Sequence, residues 1–337
     1  MQSKLKIGVV GIGKIFVKHL NALNKLNEFY DIKCACENDM DKILKNKNTL
    51  GIPIYNHIEE MVDKQSLDLV SLCTPSGIHA EQTIFLSKKK INVITEKPIA
   101  TNIENADDMI TSCKQNQVSL FVVKPLRYNR VVNLVKKALS ENRFGKIHLV
   151  NMNVFWTRPQ SYYDEDHWRG TIQLDGGALM NQASHYVDML NYLFGMPEKI
   201  QCISKKERDI EVEDTAILNI SWGNKILCSM NVTMLTYEKN LEDSMTIIGE
   251  KGTVKISSVS KSKIDIWKFD TFMDYDNKIK ETQIFNPNLG HEMFYKDVFD
   301  RMTKSEEKNF IDFKSLESLE IIVNAIKSNK ENNSVNF

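Results

Sequence analysis

The chain has 337 residues, with 42% hydrophobic and 26% charged side chains, and its 44 basic residues balance 44 acidic ones. This length exceeds one ordinary core and predicts two domains. A formal net charge of zero without a basic block argues against a nucleic-acid surface. No apolar run approaches the ~20 residues of a membrane span, so no membrane partner is expected. The opening MQSKLKIGVVGIG reads as a charged lead into a glycine-broken strand rather than a signal peptide, and a cytoplasmic protein is expected. Cys34, Cys36, Cys73, Cys113, Cys202 and Cys228 are scattered, and no histidine or cysteine cluster has zinc spacing. They are expected to be reduced core thiols, with no metal.

Lys4–Val10 predicts a strand, followed by Gly11-Ile12-Gly13 and a helical pattern through Phe16, Leu20, Leu23 and Leu26. This order opens a dinucleotide-binding unit, in which glycines permit a tight turn and let backbone N–H groups approach a pyrophosphate. Phe16 stands where the third glycine of the fingerprint would be. A second strand, Tyr30–Cys36, ends in Glu37, near the offset at which an acidic residue meets the adenosine ribose. Its charge would repel a 2′-phosphate, so NAD is expected over NADP. Helices at 40–50, 58–64, 79–87 and 103–116 then alternate with strands at 54–55, 67–73, 92–95 and 119–123. Such alternation predicts a parallel, doubly wound sheet with ligands at the carboxyl ends of its strands. Thr74-Pro75 and Glu96-Lys97-Pro98 stand at two such ends.

The expected domains are 1–124 and 125–337, and the texture changes from the long strand of the second onward. An amphipathic helix, Arg130–Glu141, leads into a long strand, Ile147–Trp156. The loop Trp156–Gly170 concentrates aromatics with Arg158 and Arg169. Arginine forks suit a carboxylate or diphosphate and rings suit a base or sugar face, although subunit interfaces favour the same residues. Next comes DGGALMNQASHYVDML, Asp175–Leu190, in which Asn181, His185 and Asp188 are expected on one helical stripe. A neutral imidazole is a common general base, and Asp188 could orient it; the plain alternative is a core histidine. Strands follow at 199–204, 215–222, 226–234, 244–248, 253–257, 263–269 and 280–285, with a hairpin turn at Gly249-Glu250-Lys251-Gly252. These predict an open, mostly antiparallel sheet with the His185 helix on one face. Helices at 291–302 and 315–328 precede a polar tail, Asn329–Phe337, expected to fray.

The G-x-G turn, CTPSGIHA (Cys73–Ala80), EKPIA (Glu96–Ala100) and GGALMNQASHYVD together resemble the Gfo/Idh/MocA oxidoreductases along essentially the whole chain. WTRPQSYYD, the WRGT…DGGALMNQASHYVDML stretch and YEKNLEDSMTIIGEKGTV (Tyr237–Val254) resemble its WlbA/WbpB-type branch, the UDP-N-acetyl-2-amino-2-deoxyglucuronate dehydrogenases. The resemblance implies a Rossmann domain followed by an α+β substrate domain, and NAD-dependent oxidation of a sugar-nucleotide C3 hydroxyl for cell-surface polysaccharide. It implies Lys97 and His185 as catalytic residues. Gly11, Gly13, Lys14, Ile15, Glu37, Thr74, Pro75, His79, Glu96, Lys97, Arg127 and Asn181 match cofactor positions. Lys97, Lys124, Asn129, Arg158, Tyr163, Trp168, Arg169, Asn181 and His185 match positions near the UDP-sugar. Phe16, and Glu37 where aspartate is usual, depart from the family pattern. A homodimer or homotetramer is expected. A dehydrogenase of inositol, a free sugar or another sugar nucleotide is the alternative on the same fold, and a non-catalytic NAD sensor a more distant one. Whether NADH departs or is reoxidised in place by a 2-oxo acid stays open.

Overall fold

The computed structural model describes residues 3–279, 286, 288–304 and 309–337. The expected strand at 280–285 lies outside them. The chain divides into two compact units, Met1–Pro125 with Asn288–Leu316, and Leu126–Pro287 with Glu317–Phe337.

The first unit is built on six parallel strands in the order β3-β2-β1-β4-β5-β6, where β1 is Leu5–Val10, β2 Tyr30–Cys36, β3 Ile54–Tyr55, β4 Leu69–Leu72, β5 Asn92–Thr95 and β6 Leu120–Val122. The strand order reverses between β1 and β4, the switch point at which doubly wound sheets bind ligands. Ile7, Val9, Leu69, Val70, Leu72, Val93, Ile94 and Leu120 are all 0% exposed, as strands covered on both faces require. All six cysteines are free and buried. Burial pushes the Cys34, Cys36, Cys113, Cys202 and Cys228 thiols up to about 12, which leaves little reactive thiolate.

Residues 288–316 re-enter this unit, so the two compact bodies differ from a single division at 124 in this returning segment. Its helix, Leu289–Lys304, buries His291, Phe294, Tyr295, Val298 and Phe299. The Tyr30 hydroxyl donates to the Tyr295 carbonyl (2.6 Å), and the Leu120 N–H to the Phe310 carbonyl (2.8 Å). Helical periodicity shows such a buried face but not which sheet it will cover.

Among the described residues, the second unit carries eight strands in the order β13-β12-β11-β7-β10-β9-β8-β14. Here β7 is Ile147–Phe155, β8 Lys199–Lys205, β9 Thr215–Trp222, β10 Ile226–Thr233, β11 Glu242–Gly249, β12 Gly252–Ser258, β13 Lys263–Phe269 and β14 Val335–Asn336. Among the described strands only β7 and β10 pair in parallel; the other neighbours are antiparallel. One face is core, with Met152, Leu218, Met230 and Met245 at 0% exposure. On the other, Leu227, Leu149 and Ile248 line up across three strands and remain 40–57% exposed.

Two expectations change here. The tail does not fray: Val335 pairs with Ile200, and the Phe337 N–H donates to the Glu198 carbonyl (3.1 Å). The open edge of β8 supplies a row of unpaired backbone groups, which the tail satisfies. The His185 helix spans Ser184–Phe194, shorter than its pattern, and residues 178–182 form turns before it. Gly176 and Gly177 have φ of +80° and +101°, and a Cβ on Gly177 would lie 2.5 Å from the Glu213 carboxylate. Asn181 therefore precedes the helix and does not share its stripe with His185 and Asp188.

Candidate active site

In the first unit, the expected cofactor residues follow the carboxyl ends of adjacent strands. Gly11 (φ +92°) ends β1, and a Cβ there would sit 2.8 Å from the Cys73 carbonyl, so the turns after β1 and β4 touch at the switch point. Gly13 has nothing within 4 Å of where its Cβ would be. The helix Phe16–Lys25 that follows has no side-chain cap and no acidic residue in its first turn. An open backbone turn leading into an uncapped helix start fits a dinucleotide pyrophosphate. Phe16, at the third-glycine position, is 3% exposed and packs into the core instead. Lys14 and Ile15 stand between Gly13 and that helix. Glu37 is 8% exposed. Its carboxylate accepts the N–H groups of Ile12 (2.7 Å), Asn38 (3.0 Å) and Asp39 (3.1 Å), which anchors it against the glycine turn.

The turns after β4 and β5 are tied by His79, which is 0% exposed. Its Nε2 lies 3.0 Å from the Thr74 carbonyl and its Nδ1 3.1 Å from the Pro98 carbonyl. Burial lowers its pKa against the opposing pull of those carbonyls. The Thr74 hydroxyl donates to Gln82 (2.7 Å), and Pro75 begins a short 3-10 turn. Lys97 is half-buried between buried neighbours, and the Lys97–Pro98 peptide bond is cis. Glu96, 6% exposed, accepts from His19 Nε2 (2.8 Å) through one oxygen and from the Lys97 N–H (3.1 Å) through the other. Its carboxylate is thus spent within the fold rather than displayed. After β6, Lys124 is 7% exposed and pairs with Asp312 at 3.0 Å.

The sequence reading missed the group behind Glu96. His19, His291, Tyr295 and Ser71 converge there, none more than 4% exposed. The Tyr295 hydroxyl is 2.7 Å from His19 Nδ1 and 3.0 Å from Ser71 Oγ. His291 Nε2 is 3.8 Å from the Glu96 oxygen that His19 holds, and has no hydrogen-bond partner among the described residues. Ligand atoms of His19, Glu96 and His291 lie within 4.8 Å of one another, the single candidate metal cluster among the described residues. Burial pushes the Glu96 carboxyl up, but the His19 hydrogen bond and the nearby His291 ring outweigh it and hold the carboxyl well below its usual range. The available signal was a histidine three residues after Phe16, on the buried stripe of its helix.

In the second unit, His185 is half-buried in the first turn of its helix. Asp188, one turn on, receives the Arg127 fork through two 2.8 Å bonds and the Ser318 hydroxyl at 2.7 Å. Arg127 is therefore held against this helix within the second unit. The Asn181 amide donates to Asp175, which also accepts from the Gly170 N–H at 2.7 Å. Asn129 caps the helix Arg130–Ser140, accepting from Val131 and Val132, and its amide donates to Val259 and Ser262. Glu213 accepts from the Leu179 N–H (2.9 Å), and burial pushes its carboxyl up to about 7.

The loop Trp156–Gly170 separates its arginines. Arg169 is 7% exposed and held by Glu165 (2.7 Å), Asp166 (2.6 Å) and the Tyr162 carbonyl (2.7 Å). Arg158 is half-buried, lies 5.1 Å from the ring centres of Trp156 and Tyr162, and donates to the Thr157 carbonyl (2.7 Å) and Asn240 (3.4 Å). No carboxylate meets it among the described residues, and its buried Nε has no acceptor there. Tyr163 is 6% exposed, with Gly170 packed against its ring, whereas Trp168 is half-buried.

The model for the oxidoreductase family's NAD-binding Rossmann fold matches residues 5–124, and that for its C-terminal alpha/beta domain residues 136–337. The chain is 39% identical to the WlbA dehydrogenase of Chromobacterium violaceum, solved with NADH and UDP-GlcNAcA; the match covers 100% of this chain and 97% of that one, with a TM-score of 0.94. The Bordetella pertussis WlbA dehydrogenase, solved with the same two molecules, is 36% identical over 100% and 99% of the chains, with a TM-score of 0.93. A curated relative, the myo-inositol 2-dehydrogenase of Thermotoga maritima, is 28% identical over 57% of this chain and only 55% of its own length. No described helix is long and apolar enough to cross a membrane. Over both of its domains, the chain belongs to the Gfo/Idh/MocA oxidoreductase family.

Proposed function

We propose that this protein oxidises the C3 hydroxyl of UDP-GlcNAcA to a ketone with NAD. The observation that carries this reading is the whole-length, 39% identical match to a dehydrogenase solved with NADH and UDP-GlcNAcA. Bound NAD supplies the hydride acceptor. His185 removes the hydroxyl proton as the C3–H bond breaks, and the Lys97 ammonium offsets the charge developing on oxygen. Glu37 receives the adenosine ribose hydroxyls. Gly11, Gly13, Lys14 and Ile15 carry the pyrophosphate at the open helix start, and the turns of Thr74, Pro75 and Glu96 flank the nicotinamide. Arg158 meets an anionic group of the sugar nucleotide, with Trp168 beside it. Lys124, Asn129, Arg169 and Asn181 shape the surroundings through the bonds described above, and Tyr163 through its packing against Gly170.

The 3-keto product suits a following transamination in cell-surface polysaccharide synthesis. The exposed Leu149–Leu227–Ile248 row supports a homo-oligomer, since an open apolar sheet face favours a second copy of the chain. The test is NADH absorbance after mixing protein and NAD with UDP-GlcNAcA, UDP-GlcNAc, UDP-glucuronate, myo-inositol or glucose 6-phosphate, with product mass measured. UDP-GlcNAcA is expected to give the fastest turnover and a product lighter by two hydrogen atoms. Turnover of myo-inositol but not of UDP-GlcNAcA would overturn the reading.

A further inference from the structure

The residues on both sides of Lys97 are held by buried imidazoles. On one side, Glu96 Oε2 accepts the Lys97 N–H (3.1 Å) while its Oε1 takes the His19 Nε2–H (2.8 Å). A carboxylate only accepts, so His19 carries a proton on Nε2, and its Nδ1 lies 2.7 Å from the Tyr295 hydroxyl. On the other side, His79 stands between the Pro98 carbonyl (3.1 Å) and the Thr74 carbonyl (3.0 Å), with the single N–H of a neutral ring available to one of them. His19 and His79 are both 0% exposed, and Lys97 alone of residues 96–98 is half-buried.

We propose that His19 and His79 are positioning residues for Lys97, acting through the Glu96 carboxylate and the Pro98 carbonyl. This rests on the reading of Lys97 as the group that faces the reacting oxygen. A stability role alone accounts poorly for the arrangement, because well-packed apolar side chains commonly stabilise a core as well as a buried ionic network does. What the network adds is direction: it fixes the peptide N–H of Lys97 and the carbonyl just beyond it from separate elements. The element carrying His19 is the helix after β1, and Tyr295, which holds His19, arrives on the returning helix Leu289–Lys304. A misplacement of about 1 Å in a reacting group can cost on the order of 10²-fold in rate.

The test compares His19→Phe, which fills the space without a donor, with His19→Gln, whose amide N–H can still reach Glu96. In the NAD-loaded enzyme turning over UDP-GlcNAcA, His19→Phe is expected to lower kcat by roughly 10- to 100-fold. The NAD Kd and sugar KM should stay within about 2-fold, and His19→Gln should recover most of the loss. In a Lys97→Met background, His19→Phe should add little, because both changes act on one group. An equal fold-loss in that background, wild-type kcat in His19→Phe, or a Gln variant as impaired as Phe would overturn the proposal. Stoichiometric zinc in the purified protein would also overturn it, by making His19, Glu96 and His291 metal ligands. A reading independent of turnover uses NAD-loaded protein reductively methylated with ¹³C-formaldehyde, with the Lys97 resonance assigned by its absence in Lys97→Met. His19→Gln should leave that resonance in place and His19→Phe should move it; no movement would refute the positioning role. If the resonance moves while wild-type protein fails to oxidise UDP-GlcNAcA, the substrate assignment fails and the positioning role stands.

Discussion

Replacing each loop arginine with alanine should separate a fold-holding cation from a ligand-holding one. Arg169 loses two ion pairs to carboxylates that are 52% and 27% exposed, a bond to the Tyr162 carbonyl, and a guanidinium–ring contact at 4.2 Å. With the exposed pairs discounted to about 0.5 kcal/mol each, the hydrogen bond at about 1 and the ring contact at about 0.5–1, the loss is roughly 2–3 kcal/mol. For a body of this size that lowers Tm by about 5–10 °C. Arg158 has no carboxylate to lose, so Arg158→Ala should cost less than about 1 kcal/mol in stability. Its effect should instead fall on the sugar nucleotide: truncating one partner of a desolvated charge pair costs about 2–5 kcal/mol, and half-burial places Arg158 near the lower end. That predicts a rise in KM for UDP-GlcNAcA of about 30-fold or more with kcat little changed. Scanning fluorimetry and steady-state kinetics read the two effects separately. Unchanged KM in Arg158→Ala, or a raised KM at unchanged Tm in Arg169→Ala, would refute the division.

Other expectations follow from single geometries. Glu37 should exclude a 2′-phosphate, so NADH should bind more tightly than NADPH in a fluorescence titration, and Glu37→Ala should narrow the gap. Gly11→Ala should destabilise the first unit, because its Cβ would meet a carbonyl at 2.8 Å with φ at +92°. Gly13→Ala, with open space around it, should leave Tm unchanged yet weaken NAD binding, which calorimetry can check. The Glu213 carboxyl is raised to about 7, above its unfolded value, so its contribution to stability is complete below pH ~4.5 and is lost as pH rises through about 7. Glu213→Gln should therefore flatten the fall in Tm over that range by an amount equivalent to roughly 1–3 kcal/mol, the half-burial limiting it.

The sheet elements were legible because their signals are local. Buried parallel strands read as apolar runs, and those of the second sheet alternate, as in β9. The helix of His185 was overextended because its apolar pattern continues through residues that two left-handed glycines turn aside. Glu37 could be located from a strand end and an offset, but its three backbone donors depend on the fold of the glycine turn. Nothing in spacing distinguishes Arg158 from Arg169; the difference is that the loop folds two of its own carboxylates onto the second. The Glu96 network was invisible for a similar reason, since His19 and Tyr295 are separated by 276 residues. Residue type at a strand end thus indicates chemistry, whereas commitment to a partner appears only with the fold.

The same distinction bears on the pair that the proposed reaction needs. Lys97 follows β5 in the first unit, and His185 opens a helix in the second. If one removes the hydroxyl proton while the other steadies the oxygen left behind, both contribute to a single transition state. His185→Asn retains size and a hydrogen-bonding edge but no base, so kcat should fall roughly 10²–10⁴-fold with NAD affinity nearly unchanged. Lys97→Met withdraws positive charge from the developing oxyanion and should cost a similar factor. Once either group is missing, the other has less to act on. The double variant should therefore be much less impaired than the product of the single losses. Losses that multiply fully would mean that the two groups serve different steps, such as chemistry and product release. Wild-type turnover in either single variant would remove that residue from the reaction.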